Sequence, residues 1–440
     1  MQAPPALAVY KEAPSLGGSV GLLAGQILGL AVLLPPFACL LPFSMLGRIL
    51  FGPDPTSPRI SLVWLLMRRA LFDPVVRNER GIVTRARTAL SILMISMRSH
   101  SLWACCWYLD ELYGCFGGWK SQQVTRPVFL ISNARTGSSE FGERLCTAGK
   151  HLIGPNSLQC LMPYTWVWRL ARGVFREAKE EDIAVKMREG YQKKFPEMFK
   201  RHPLQPFSPD TFEVAQNMTS LTFGYLNLLA GPNVPPYGAD PDKAHLASDV
   251  RQLCRCVDAL LKKTLHFYGR KERPFLKGHF IHAAETLAAQ YPGALFVDVV
   301  REIEPMLRSQ INFVHVLPCW EELGVQSVPW AWLRDHLLRA NIDYCQQEIA
   351  FFKESVLRER RIVLRFEDCV KDPTGSLQQV FEAAGIEVLP EELSQAATRS
   401  AGAKSDRNYD IDVSLDQLQI PAGYLASTFN EWRQKMDKDS

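Results

Sequence analysis

Three kinds of hydrophobic pattern follow one another along the chain, and each predicts a different environment. The first is an unbroken apolar run: positions 13–47, between Glu12 and Arg48, hold 35 residues without a charge. A helix that crosses a bilayer needs about 20 apolar residues, so residues 17–46 are long enough to be a membrane segment. A cleaved signal peptide fits less well. The run is too long, and only Lys11 beside Glu12 precedes it where a basic flank is expected. Two arrangements account for the run: a single anchor helix over residues 18–41, broken late by Pro35-Pro36, or a re-entrant hairpin with those prolines at its tip. A core helix of a soluble domain is the third option. Arg48, Arg59, Arg68 and Arg69 follow, so the positive-inside rule puts the bulk of the protein in the cytosol. A Golgi or endomembrane lumenal protein requires the opposite, and sidedness stays open.

The second pattern covers residues 51–124 and is helical and less apolar. Arg87 to Arg98 reads as an amphipathic helix and Ser101 to Tyr113 as another, the latter carrying Trp103, Trp107, Tyr108 and Tyr113. Aromatics interspersed with arginine suit a membrane interface, and they suit equally a helical pair packed on the main domain.

From Arg126 onward the pattern alternates between strand and helix. Pro127 to Ser132 is a short apolar strand of the kind buried in parallel sheets. The small polar turn Asn133 to Ser139 follows it, and then a helix from Glu140 to Lys150. Pro274 to Phe280 and Ala294 to Val300 are two further buried strands, the second ended by Arg301. The chain therefore divides into a tail (1–16), a membrane segment (17–50), a helical linker (51–124) and an α/β domain (125–435).

Composition mainly excludes. With 47% hydrophobic and 22% charged residues and no low-complexity tract, the chain builds a packed core. A net charge of +4 without any Lys/Arg stripe argues against nucleic acid. Eleven cysteines without a CxxC pair or Cys/His spacing make a zinc site unexpected and leave the redox compartment undetermined. No carboxylate cluster asks for another metal.

The candidate chemistry lies at strand ends. Strand, polar turn and helix start present backbone N–H groups and a positive helix end to an anion. Arg135 adds a cationic fork there, and Thr136, Ser138 and Ser139 add hydroxyl donors around Gly137. The spacing is not that of a Walker A loop. A capped helix after a strand would read the same way, so the downstream groups decide. Lys277 and His279 close one strand; Arg301 closes another, with Ser309 eight residues on.

Together these segments resemble the sulfotransferases that use 3′-phosphoadenosine 5′-phosphosulfate (PAPS), in their membrane-linked or bacterial-type branch. Arg135-Thr-Gly-Ser-Ser139 is similar to the family's 5′-phosphosulfate loop, and Arg301 with Ser309 to its 3′-phosphate motif. Lys277-Gly-His279 resembles the segment holding the catalytic histidine, 22 positions before Arg301. Arg361 to Pro373 resembles a further family segment, and likeness extends over residues 126–433. The resemblance implies an α/β, P-loop-like three-layer fold with a central parallel sheet flanked by helices, beside the N-terminal helical membrane region. It implies sulfuryl transfer from PAPS to an acceptor hydroxyl by in-line displacement, without a metal. Catalytic roles then fall to His279, Lys277 and Arg135, and donor binding to Arg135, Thr136, Gly137, Ser138, Ser139, Arg301 and Ser309.

Departures from the family are specific. Glu140 stands where cytosolic members place an adenine-stacking Trp. Arg301-Glu-Ile-Glu-Pro305 replaces Arg-Asp-Pro, so a longer turn is expected. His282 competes with His279 for the role of base. Residues 151–270, with Tyr164, Trp166 and Trp168, are expected to wall the acceptor site for a glycan, lipid or small molecule. Arg407 and Tyr409 are candidates to close over the nucleotide, and Asn217-Met-Thr219 is a glycosylation sequon if the domain is lumenal. A non-catalytic membrane scaffold and a P-loop-type kinase are the competing classes, and the second lacks its lysine and magnesium-holding aspartate.

Overall fold

The computed structural model describes residues 16–439 except 56, 150, 175–179, 203–204, 210–242, 270–272, 318–329, 354–358 and 399–413. Arg407, Tyr409 and the Asn217 tripeptide lie outside the described residues. The chain opens with α1 (Leu16–Phe51), α2 (Ile60–Phe72), α3 (Pro74–Glu79) and α4 (Ile82–Arg98), which passes through a π-helical turn (Ser99–Trp103) into α5 (Ala104–Cys115). Next come β1 (Val128–Ile131), α6 (Ser138–Thr147), β2 (Leu152–Ile153), α7 (Ser157–Leu161), α8 (Thr165–Val174), α9 (Glu180–Lys194), α10 (Pro196–Arg201), α11 (Lys243–Tyr268) and β3 (Arg273–Gly278). After α12 (Ala284–Gln290), β4 (Leu295–Val300), α13 (Ile303–Val314), α14 (Trp330–Lys353) and β5 (Arg361–Arg365), the chain ends in α15 (Phe366–Lys371), α16 (Pro373–Ala384), α17 (Pro390–Thr398), α18 (Tyr424–Thr428) and α19 (Asn430–Asp439).

The five strands form one parallel sheet in the order β2-β3-β1-β4-β5. All four residues of β1 and all six of β4 are buried, which explains why β1 is wholly apolar and β4 apolar except for Asp298. Phe129, Leu276 and Phe296 point to one face, under α11, α13 and α14. Val128, Leu130, Phe275 and Val297 point to the other, under α6, α16 and α17. The sheet thus lies between two helical layers. Winding proceeds outward on both sides of β1, so the crevice at its C-terminal end is the switch point where open α/β sheets hold ligands.

The N-terminal helices differ from the hairpin expectation. α1 runs as one helix through Pro35, Pro36 and Pro42, and the chain does not turn back at the prolines. A proline removes one backbone donor and clashes with the preceding turn, but here a long neighbour braces the helix. Gln26 Nε2 donates to Ser91 Oγ at 2.9 Å, and Cys105 Sγ to the Leu40 carbonyl at 3.3 Å. Both pairs are 65 residues apart, so α1 and the α4–α5 rod run parallel in a constant register. Farther along, a Cβ at Gly47 would lie 2.3 Å from the Tyr108 ring, a crossing that only glycine permits.

α1 is also the one described helix long and apolar enough to cross a bilayer, over Gly21–Phe51. Most of that stretch is exposed, Leu28, Val32, Phe43 and Ile49 included.

The rod joins the α/β domain through a buried polar hub. Asp110 of α5 caps α8, accepting from the Thr165 amide at 2.9 Å and from the Thr165 hydroxyl. Its other oxygen lies 2.9 Å from Lys263 Nζ of α11, with both side chains fully buried. That ammonium sits 3.9 Å from the centroid of the Trp107 ring and donates to the Pro163 carbonyl at 2.8 Å. Arg255 of α11 reaches back to the carbonyls of Phe51 and Pro53.

Candidate functional site

The loop from β1 to α6 is held in an unusual backbone shape by a buried amide network. Asn133 donates to Asn341 Oδ1 at 2.8 Å, and Asn341 donates to Gln310 Oε1 at 2.7 Å. Gln310 in turn donates to the Ala134 carbonyl at 2.9 Å, while the Ala134 amide binds Asn133 Oδ1 at 2.7 Å. With the chain pinned on both sides, Arg135 adopts φ +71° and Gly137 φ +85°. A non-glycine residue in that region costs on the order of 1 kcal/mol. Alternation of this kind turns successive N–H groups toward one point and makes an anion nest.

Helix α6 begins at Ser138 with no side-chain cap, so its first N–H groups and positive dipole end face the same crevice. Thr136 is buried and donates to the Asn133 carbonyl at 3.0 Å, which closes the turn. Its hydroxyl therefore has a structural partner as well. Gly137 packs against Phe366, whose ring would lie 2.6 Å from a Cβ placed there.

The arginine and serine expected downstream converge on this loop. Arg135 Nε donates to Ser309 Oγ at 3.0 Å and Nη2 to the Arg201 carbonyl at 3.3 Å, with the guanidinium over Phe313. Arg301 Nη1 donates to the Arg135 carbonyl at 3.1 Å and lies over the Phe366 ring at 4.4 Å. The turn after β4 is short and not longer, as the sequence suggested: α13 starts at Ile303, and Pro305 sits inside its first turn, where its missing N–H has no intrahelical partner to lose. Glu140 is ion-paired to Arg144 at 2.7 Å, so it offers no stacking surface.

Lys277 and His279 come from the adjacent strand. Lys277 pairs in register with Leu130 and is 2% exposed, its stem 3.6 Å from the place a Cβ would take at Gly142 of α6. His279 hydrogen-bonds through Nδ1 to the Ser132 carbonyl. A carbonyl only accepts, so Nδ1 carries the proton and Nε2 carries the lone pair. His282 stands on the 3₁₀ turn Ile281–Ala283, where burial lowers its pKa to about 4 and keeps the ring neutral.

Sequence reasoning missed the support around these groups. Asn341 and Gln310 are 208 and 177 residues from Asn133, and nothing local marks them. Also missed were Phe366, Arg201 and a buried carboxyl pair, Asp298 on β4 and Glu348 on α14. Burial raises the Asp298 pKa to about 7, against the pull of Glu348, Ser132 and Arg361. Burial and the facing Asp298 carboxyl push Glu348 well up, while Trp432 Nε1 donates to it. The one signal for this pair is Asp298 itself, a single carboxyl inside an otherwise apolar strand.

Comparison with known proteins agrees with the geometry. The profile of the sulfotransferase family matches residues 127–391. Omega-hydroxy-beta-dihydromenaquinone-9 sulfotransferase Stf3 of Mycobacterium bovis and of Mycobacterium tuberculosis is 23% identical over 295 residues, 63% of this chain and 70% of the relative. Among solved structures, sulfotransferase STF9 from Mycobacterium avium is similar in fold with a TM-score of 0.61 and 15% identity, over 89% of this chain and 95% of that one. STF1 from Mycobacterium tuberculosis gives 0.55 and 13%, over 88% and 97%. The expected three-layer α/β fold is thereby borne out. The chain belongs to the sulfotransferase family, and it is an enzyme that transfers a sulfuryl group to a hydroxyl acceptor.

Proposed function

We propose that the donor is PAPS, bound across the β1–α6 loop and the β4–α13 corner, and that the acceptor is the hydroxyl of a membrane lipid. The observation that carries the donor assignment is the direct contact between the two anion cradles, Arg135 with Ser309 and Arg301 with the Arg135 carbonyl. A donor with a 5′-phosphosulfate and a 3′-phosphate needs two cationic sites close together. The nest at Arg135 to Ser139 supplies one, and Arg301 with Ser309 supplies the other. Phe366, beside both Gly137 and Arg301, gives the nucleotide an apolar wall that Glu140 does not.

The chain's groups then divide the work of in-line transfer. His279 Nε2 takes the proton of the acceptor hydroxyl as its oxygen bonds to sulfur. The bond from sulfur to the bridging phosphate oxygen breaks, and Lys277 neutralises the charge left there. The products are a sulfate ester and 3′,5′-adenosine bisphosphate. His279 suits the base because the Ser132 carbonyl fixes its tautomer, whereas desolvation holds the His282 pKa down at about 4.

Support for a lipid acceptor comes from the exposed apolar length of α1, which we read as a membrane span. The curated relatives point the same way, since their name specifies a hydroxylated menaquinone.

The test uses the full chain in vesicles with sulfur-labelled PAPS and a panel of hydroxylated lipids, sugars and phenols. Label is expected in the lipid fraction. Arg301→Ala should abolish binding of 3′,5′-adenosine bisphosphate, and His279→Ala should keep binding and lose turnover. A preference for ATP with magnesium, or binding that survives Arg301→Ala, sinks the donor assignment. Label only in soluble acceptors sinks the lipid.

A further inference from the structure

Ser132, the last residue before the polar turn, is fully buried and bonded to three neighbours at once. The paired register of β1 stops just before it, at Ile131–Gly278 on the β3 side and at Leu130–Val297 on the β4 side. Ser132 carries the connection one step further in both directions. Its amide donates to the Gly278 carbonyl at 3.3 Å, and its Oγ accepts from the Val299 amide at 2.8 Å. In a longer strand a main-chain carbonyl would take that amide. Here the backbone is turning into the loop, and a side-chain hydroxyl fills the place.

The third neighbour is His279, whose Nδ1 donates to the Ser132 carbonyl. That carbonyl can turn only with the peptide joining Ser132 to Asn133, and the peptide is held from both ends. On one side Val299 holds Ser132 Oγ; on the other the Asn133 side chain is held by Asn341 and by the Ala134 amide. A histidine side chain turns about two bonds, so a hydrogen bond from Nδ1 to a fixed carbonyl leaves Nε2 one direction. Accepting from Val299 also leaves Ser132 its own proton to give. The Asp298 carboxyl, one residue along β4, stands beside that proton in a contact looser than an ordinary hydrogen bond.

We propose that Ser132 is the positioning residue for His279: its hydroxyl fastens the end of β1 to β4, and its carbonyl thereby keeps Nε2 of the base aimed at the acceptor hydroxyl. Ser132 acts only through the imidazole. This role rests on His279 being the base, and the two are tested apart.

Turnover of the full chain in vesicles is followed with sulfur-labelled PAPS and the hydroxylated compound of the panel that takes most label with the parent. Ser132→Ala is expected to lower kcat about 10- to 100-fold. Both KM values, and the calorimetric affinity for 3′,5′-adenosine bisphosphate, should stay within about twofold, which also shows that the donor loop is still folded. Ser132→Thr and Ser132→Val have one shape and differ in the hydroxyl, so the threonine chain should keep most of kcat and the valine chain should lose it. In His279→Ala the residual rate no longer depends on where the ring stands, and adding Ser132→Ala should change it less than about twofold. An equal loss in both backgrounds overturns the positioning role. So do equal rates for the threonine and valine chains, an unchanged kcat in Ser132→Ala, or a loss that falls on bisphosphate binding instead. Full turnover in His279→Ala alone removes the base itself, and this role with it.

Discussion

Replacing Asp298 by asparagine isolates the buried carboxyl pair. Asp298 is 4% exposed and Glu348 2%, and the two face each other between β4 and α14. Such a pair holds one proton, because two carboxylates in that space would repel without water to screen them. The Asp298 pKa rises from 3.8 to about 7. The folded state therefore keeps a proton that the unfolded chain releases, and stability is complete below pH 3.8 and falls as pH rises toward 7. The loss is on the order of a few kcal/mol. Asparagine mimics the protonated acid permanently and leaves Glu348 with Trp432 as its donor. Urea midpoints of the full chain in neutral micelles, taken from pH 4.5 to 8, are the measurement. The parent should weaken across that window, and Asp298→Asn should weaken less steeply, since only the buried Glu348 still titrates, and be the more stable protein at pH 8. Parallel curves for the two proteins would refute the shared proton.

Three further outcomes follow from the same structure. Gly137→Ala places a methyl 2.6 Å from Phe366 at φ +85°, and the distortion, about 1–3 kcal/mol, should weaken donor binding tenfold or more by calorimetry. Asp110→Ala leaves Lys263 buried without its carboxylate and uncaps α8; the loss is about 3–5 kcal/mol, read as a lower thermal midpoint. His282→Gln should leave the pH–rate profile unchanged, since burial already holds that ring neutral.

The parts of the fold that were legible in the sequence share one property: their signal is local. Pro127 to Ser132 and Ala294 to Val300 announced buried parallel strands because both faces of each are covered, and the residues show it directly. Arg135, Arg301 and Ser309 stand out in the sequence through the family resemblance of their short segments, and the structure brings all three together. The rest depends on partners far away in sequence. Asn341 has meaning only once α14 packs beside the β1 loop. β2 is two residues long, too short to show any period. The rod from Ile82 to Cys115 reads in sequence as two helices, 87–98 and 101–113, but a π turn at Ser99–Trp103 carries the chain from one to the other without ending the helix. Pro35-Pro36 allows in sequence either a late break in a single helix or a hairpin tip, and α1 passes through both prolines beside a parallel neighbour that no local pattern reveals.

The contacts of Asp110 have a consequence for how this protein can be cut. A boundary near residue 125 looks natural from sequence, with an anchor on one side and an enzyme on the other. Yet Asp110 supplies the carboxylate beside Lys263 and the cap of α8, and Trp107 and Trp119 supply the rings over that ammonium. A fragment starting at 125 would inherit a cation in an open apolar hole and a helix with a bare first turn. The five leading helices are therefore less a tether than a missing wall. Chain exchange or recombination at that joint would have to carry both sides of the Asp110–Lys263 bond together.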